Sequence, residues 1–150
     1  MNNSTVTAPV DLLLIEDQRS DAELALRALR DLGFGQRLHL VTDGAEALDF
    51  VFARDAYAQR SICESPGLIL LDLKLPKISG HEVLEALKSD ERTKQIPVVV
   101  LSSSREDRDV ERAYAKGVNS YVVKPVDFET FTETVQRIGS YWLQTNQRPA

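Results

Sequence analysis

The feature that most restricts the fold of this chain is a repeated alternation. Short apolar runs are followed, one after another, by stretches with apolar residues at helical spacing. Leu12-Leu13-Leu14-Ile15 is a continuous apolar run, the pattern of a parallel strand covered on both faces. Ala22, Ala25, Leu26, Leu29 and Leu32 then recur at helical spacing, and Gly33 stands where that helix would stop. Residues 37–41 predict a second, less apolar strand. Asp43-Gly44-Ala45-Glu46 opens a helix with an acidic cap and a glutamate three residues on, and Leu48, Val51 and Phe52 supply its stripe. Residues 54–66 are polar and irregular, a long loop or an extended helix end. Residues 67–71 form a third strand, after which Ser79-Gly80-His81-Glu82 has capping-box spacing and Val83, Leu84 and Leu87 face the core. Residues 97–101 form the fourth strand, with Pro97 at its start, where a missing donor is tolerated. Val110, Ala113 and Tyr114 mark a fourth helix closed by Gly117. Residues 119–123 are a fifth strand, and Asp127 caps a last helix carrying Phe128, Phe131, Val135 and Ile138.

Five strands, each followed by a helix, predict an α/β fold with helices on both faces of one parallel sheet. Right-handed crossovers leave few topologies, and the flavodoxin-like (βα)5 three-layer sandwich, with strand order 2-1-3-4-5, is the expected one. The domain is expected over residues 11–143, between tails at 1–10 and 144–150. The formal net charge of −5 argues against sequence-independent nucleic-acid binding, which needs a basic surface to displace counterions. One cysteine, Cys63, excludes an internal disulfide and suits a reducing compartment. No apolar run has the length of a membrane span and the first residues lack the pattern of a signal peptide, so the expected location is the cytoplasm.

In a doubly wound sheet, ligands bind at the carboxyl ends of the strands. The first strand ends in Glu16-Asp17, the third in Asp72, the fourth in Ser102-Ser103-Ser104 and the fifth in Lys124-Pro125. With the first strand beside the third, Glu16, Asp17 and Asp72 converge. Two carboxylates about 4 Å apart repel by on the order of 4 kcal/mol at an effective dielectric of 20. That is roughly three pKa units, enough to keep one protonated near neutrality unless a cation intervenes. A hard, oxygen-liganded ion answers the problem, Mg2+ best and Mn2+ as a substitute. An aspartate can accept a phosphoryl group as an acyl phosphate. The charge on the transferred group then calls for a cation and a hydroxyl donor. Lys124 and Ser102 are at hand.

These landmarks resemble the receiver domains of bacterial two-component systems. The acidic pair Glu16-Asp17, Asp72, Ser102 and Lys124-Pro125 match the family pattern at its spacings, and Asp72-Leu73-Lys74-Leu75-Pro76-Lys77-Ile78-Ser79-Gly80 looks like the family loop. The resemblance covers about residues 11 to 140. It implies a response regulator that takes a phosphoryl group from a histidine kinase onto Asp72. Asp17, Asp72 and the backbone carbonyl of Lys74 would ligate the metal, with Glu16 acting through water. Ser102 and Tyr121 would be the switch pair, and the bond at Lys124-Pro125 would be cis. A narrower similarity is to the stand-alone regulators paired with bacterial phytochromes. It rests on the long segment before the third strand, on Asn119-Ser120-Tyr121 leading into Val126-Asp127-Phe128, and on Tyr141-Trp142-Leu143. It implies a phytochrome as the kinase and no DNA-binding output domain. Two departures stand out. Glu16 replaces the commoner aspartate, and Lys74 adds a positive charge at the mouth of the site.

The same residues admit plainer readings. An acidic pair after a strand is often a solvated turn, Ser102 could be a helix cap, Tyr121 a packing residue, and an X-Pro bond is usually trans. His39 and His81 lack partners at metal-ligand spacing and are expected at the surface. Cys63 has no neighbouring base, and Gly80 answers to backbone geometry. A rival function is an aspartyl-nucleophile phosphohydrolase. Such an enzyme needs an acid two residues after the nucleophile, where this chain has Lys74. A scaffold with a vestigial site is the third reading. Phe128, Phe131, Val135, Ile138 and Trp142 are spaced 3, 4, 3 and 4 apart, the period of a helix seam. With the apolar Tyr141-Trp142-Leu143 cluster this predicts a homodimer through the fourth helix, fifth strand and last helix.

Overall fold

The computed structural model describes residues 10–34 and 37–149. Of the expected N-terminal tail only Val10 falls among them, and it is buried. The chain alternates β1 (Leu12–Ile15), α1 (Arg19–Asp31), β2 (Leu38–Val41), α2 (Gly44–Val51), β3 (Leu68–Leu71), α3 (Gly80–Ser89), β4 (Val98–Ser102), α4 (Asp107–Ala115), β5 (Ser120–Val123) and α5 (Phe128–Ser140). All pairings are parallel and the strand order is β2-β1-β3-β4-β5, as the alternation predicts.

The continuous apolar runs follow from burial on both faces, with successive side chains pointing to opposite sides. Leu13, Ile15, Ile69, Leu71, Val98 and Val100 pack with Phe50 and Val51 of α2, Leu84 and Leu87 of α3 and Ala113 of α4. Leu12, Leu14, Leu68, Leu70, Val99 and Leu101 pack on the other side with Ala22, Ala25 and Leu29 of α1 and Phe131, Val135 and Ile138 of α5. Gly139 lets α1 and α5 close together, since a Cβ there would sit 2.7 Å from Leu29 Cδ2.

Several local expectations shift by a fraction of a turn. In α2 the fully buried residues are Ala47, Phe50 and Val51, while Leu48 and Phe52 are only half-buried. Leu32 and Tyr114 are exposed, so they do not belong to the core stripes. Ser79 and Glu82 form the full capping box. At α2, Asp43 accepts from Glu46 N at 2.7 Å, but Glu46 turns outward to Thr42 N and to the Tyr57 hydroxyl.

Residues 54–66 are less irregular than their polarity suggests. They contain a 3-10 turn, Asp55–Tyr57, and the buried Arg60. The Arg60 guanidinium lies 3.8 Å from the Phe50 ring centroid and donates to the carbonyls of Phe50 and Glu64. His39, expected at the surface, stacks on Phe50 with centroids 4.6 Å apart and meets the Tyr57 hydroxyl at 3.0 Å. After α5, a π turn (Tyr141–Thr145) continues the helix into the expected tail. Trp142 and Leu143 pack on the core beside α1 and α5, and only Tyr141 of that cluster is exposed.

Candidate metal and phosphoryl site

β1 and β3 run side by side in register, Ile15 against Leu71. The next residues of each strand therefore meet at the carboxyl edge of the sheet, at the switch point. Glu16 and Asp72 are buried there and Asp17 is exposed. One ligand atom from each of the three lies within 4.8 Å of the others. Asp72 is anchored at its backbone, with its N–H donating to Ile15 O at 3.1 Å, and its Oδ1 accepts from Lys74 N at 3.3 Å. The Lys74 side chain points into solvent and makes no ion pair among the described residues.

Lys124, one residue past β5, reaches into the acidic cluster. Its Nζ lies 2.8 Å from Glu16 Oε1, 2.9 Å from Asp21 Oδ2 and 3.1 Å from Asp72 Oδ2. Burial works against the ammonium charge, but hydrogen bonds to Glu16 and Asp21 and the charge of Asp72 outweigh it and hold the lysine firmly protonated. Even so, Glu16 is pushed up to about 7, first by burial and then by Asp72. Lys124 and the Gln18 backbone N–H, 3.0 Å from Oε2, oppose the shift. One lysine thus leaves a protonatable carboxyl at neutral pH. That is the condition in which a divalent cation with oxygen ligands is favoured, and the acidic cluster of Glu16, Asp17 and Asp72 fits such an ion.

Asp21 was not singled out from sequence. It occupies the first turn of α1, where an acidic residue is already accounted for by the helix dipole. Nothing local distinguishes a residue with that second task. The expected cis bond before Pro125 is corrected: no peptide bond is cis among the described residues. A trans X-Pro bond is favoured by about 0.5–1 kcal/mol, and Lys124 reaches all three carboxylates with the bond trans.

At the end of β4, Ser102 is fully buried and its Oγ accepts from Ser104 N at 3.2 Å. Its hydroxyl hydrogen has no acceptor among the described residues. Tyr121 is half-buried on β5 and donates to Ser104 O at 3.0 Å. Gly80 explains how α3 starts so close to the site. A Cβ at this position would lie 2.3 Å from Asp72 O and 2.5 Å from Leu73 Cα, so no larger residue fits without moving the backbone at Asp72. His81, expected at the surface, is buried, with Nε2 3.3 Å from Asp109 Oδ1.

Comparison with known proteins bears on this arrangement. The family model of the response regulator receiver domain matches residues 12–136. A probable methanogenesis regulatory protein, FilR2 of Methanothrix harundinacea, is 45% identical over 141 residues, covering 94% of this chain and 88% of that protein. Response regulator Rcp1 of Synechocystis is 37% identical over 142 residues, 95% of either chain. Its Mn2+-bound crystal structure superposes with a TM-score of 0.86 over 95% of this chain and all of that one. The phosphorylated cyanobacterial phytochrome response regulator RcpA superposes with a TM-score of 0.88 at 38% identity, over 95% of this chain and 100% of that one. Sequence, fold and the residues at the strand ends agree, and the chain belongs to the response regulator receiver family of two-component signalling.

Proposed function

We propose that this protein is a response regulator whose Asp72 accepts a phosphoryl group from a histidine kinase in a magnesium-dependent reaction. The observation that carries this reading is the setting of Asp72. It is a buried carboxylate flanked by two further acids, with the Lys124 ammonium 3.1 Å from its Oδ2. In the transfer, an Asp72 oxygen forms a bond to phosphorus while the phosphorus–nitrogen bond of the donor phosphohistidine breaks. The imidazole leaves with the electron pair and takes up a proton.

Glu16, Asp17, Asp72 and the Lys74 carbonyl would hold Mg2+, with Mn2+ as a substitute, and the bound ion would supply positive charge opposite the phosphoryl oxygens. Lys124 can shift from the acids to the phosphoryl group, and the Ser102 hydroxyl, whose oxygen accepts from Ser104 N, can be drawn toward it and donate. Tyr121 is linked to the Ser102 loop through the Ser104 carbonyl, which suits the pair as a switch. Lys74 in place of an acid speaks against multiple-turnover hydrolysis of outside substrates, leaving slow hydrolysis of the protein's own acyl phosphate.

The kinase is proposed to be a phytochrome, on the likeness to Rcp1 and RcpA. The output is proposed to be a phosphorylation-sensitive surface acting in the cytoplasm, without nucleic acid or membrane as partner. No described helix is long and apolar enough to cross a membrane. A homodimer through α4, β5 and α5 is supported by Tyr114, 52% exposed, and Phe128, 73% exposed. Acetyl phosphate tests the core reading. With magnesium, intact mass should show one phosphoryl group per chain, and chelation of the metal should abolish it. Equal uptake without metal would overturn the proposal.

A further inference from the structure

A histidine sits where the core packing asks for an apolar residue. His81 is the second residue of α3, two before the buried Val83, and is itself only 5% exposed. Its Nδ1 is buried and has no hydrogen-bond partner among the described residues. A hydrogen on Nδ1 would be a buried donor without an acceptor, an unfavourable state. The ring is therefore neutral with its hydrogen on Nε2. Burial and the Arg112 and Lys116 charges of α4 favour the neutral form, against the pull of Asp109. In this tautomer Nε2–H donates to Asp109 Oδ1 at 3.3 Å. An orphaned buried nitrogen calls for an explanation, and the other end of the bond supplies one.

Asp109 lies in the first turn of α4, and its Oδ2 accepts from the Ser104 hydroxyl at 2.5 Å. Ser104 is fully engaged. Its N–H donates to Ser102 Oγ at 3.2 Å and its carbonyl accepts from the Tyr121 hydroxyl at 3.0 Å. A continuous chain of hydrogen bonds thus runs from α3 through α4 to the Ser102 hydroxyl at the end of β4. Ser104 is the point where it branches to β5.

We propose that His81 is a positioning residue for the phosphoryl switch: through Asp109 and Ser104 it tethers the loop after β4 in the unphosphorylated arrangement, so that Ser102 can turn to a phosphoryl oxygen only by pulling against α3. This rests on the assignment of Asp72 as phosphoryl acceptor. When Ser102 Oγ is drawn toward a phosphoryl oxygen, Ser104 N–H must follow it or lose its acceptor, and the pull passes to Tyr121 on one side and to Asp109 and His81 on the other. Cutting the tether removes an interaction that favours the unphosphorylated form. A phosphoryl analogue should then bind more tightly, while metal binding alone is unaffected.

The experiment compares titrations of Mg2+ alone and of beryllofluoride with Mg2+ into the wild type, His81→Leu, His81→Gln and Ser104→Ala. Leucine keeps bulk and removes the donor; glutamine restores an N–H close to the Nε2 position. Ser104→Ala cuts the link to Asp109 at a half-buried residue outside the core, and so carries the test should His81→Leu fold poorly. His81→Leu and Ser104→Ala should each bind beryllofluoride roughly 3- to 10-fold more tightly than the wild type. Mg2+ affinity should be unchanged, and His81→Gln should match the wild type. Equal beryllofluoride affinity in Ser104→Ala and the wild type overturns the proposal, as does His81→Gln behaving like His81→Leu. A wild type that binds Mg2+ but no beryllofluoride refutes the assignment of Asp72, and the tether with it.

Discussion

Glu16 and Lys124 show how single charges decide the state of the site. The Glu16 carboxyl titrates near 7 in the folded protein, against 4.5 for an ordinary glutamate. Between those values the folded state keeps a proton that the unfolded state gives up. The contribution of Glu16 to stability is therefore fully present below 4.5 and is lost as pH rises through 7. Glu16→Gln cannot lose it. In metal-free urea titrations the variant should gain on the wild type from pH 4.5 to 7, by up to about 3 kcal/mol for a shift of that size, and hold the gain above. Parallel stability curves would contradict this. The wild type's Mg2+ affinity should climb over the same interval, because the ion displaces that proton. Lys124→Met leaves three carboxylates without their cation. Metal-free stability should drop by about 3 kcal/mol, with Mg2+ recovering part of the loss, as read from denaturation midpoints with and without the ion. Much of this was legible from sequence, because Glu16, Asp72 and Lys124 stand at the ends of strands whose order the alternation predicts. Asp21 was hidden because its location in a helix first turn has a sufficient local explanation, and His81 because a side chain's partner across α3 and α4 leaves no trace in spacing.

Among the elements, the strands and helix caps were the most readable. The caps of α2, α3 and α5 are Asp43, Ser79 and Asp127, as their spacing predicts. The apolar stripe of α2 lies one residue, about a quarter of a turn, from the expected one, with Val51 common to both. Phe50 was not among the residues expected to face the core, and the stacking of His39 and the covering Arg60 single it out as the buried aromatic. The trans bond before Pro125 was missed because the expectation came from the family resemblance rather than from this chain's residues. The junction between β3 and α3 carries a prediction of its own. Gly80→Ala places a Cβ against the Asp72 carbonyl and Leu73 Cα, so it should destabilise the fold by about 1–3 kcal/mol and slow phosphoryl uptake at Asp72. Wild-type stability together with a wild-type labelling rate would show that the close approach is not required.

For the molecule as a whole, the fold gathers the acidic cluster and Lys124 at one sheet edge, and the homodimer through α4, β5 and α5 is a separate proposal. Trp142 and Leu143 are half-buried against the chain's own core, so the dimer proposal rests on the exposed Tyr114 and Phe128. Sedimentation at about 10 μM should show a dimer that Phe128→Ser with Tyr114→Ser converts to monomer; a monomeric wild type, with and without phosphoryl analogue, removes it. The central claim, that Asp72 is the acceptor, has a more direct test. Protein treated with acetyl phosphate and Mg2+ is reduced with borohydride, which converts an aspartyl phosphate to homoserine with release of phosphate, and the peptides are sequenced by mass. Homoserine should appear at residue 72 and nowhere else, and Asp72→Asn should yield none. Homoserine at Asp17 or Asp21, or full phosphoryl uptake by Asp72→Asn, would contradict the account.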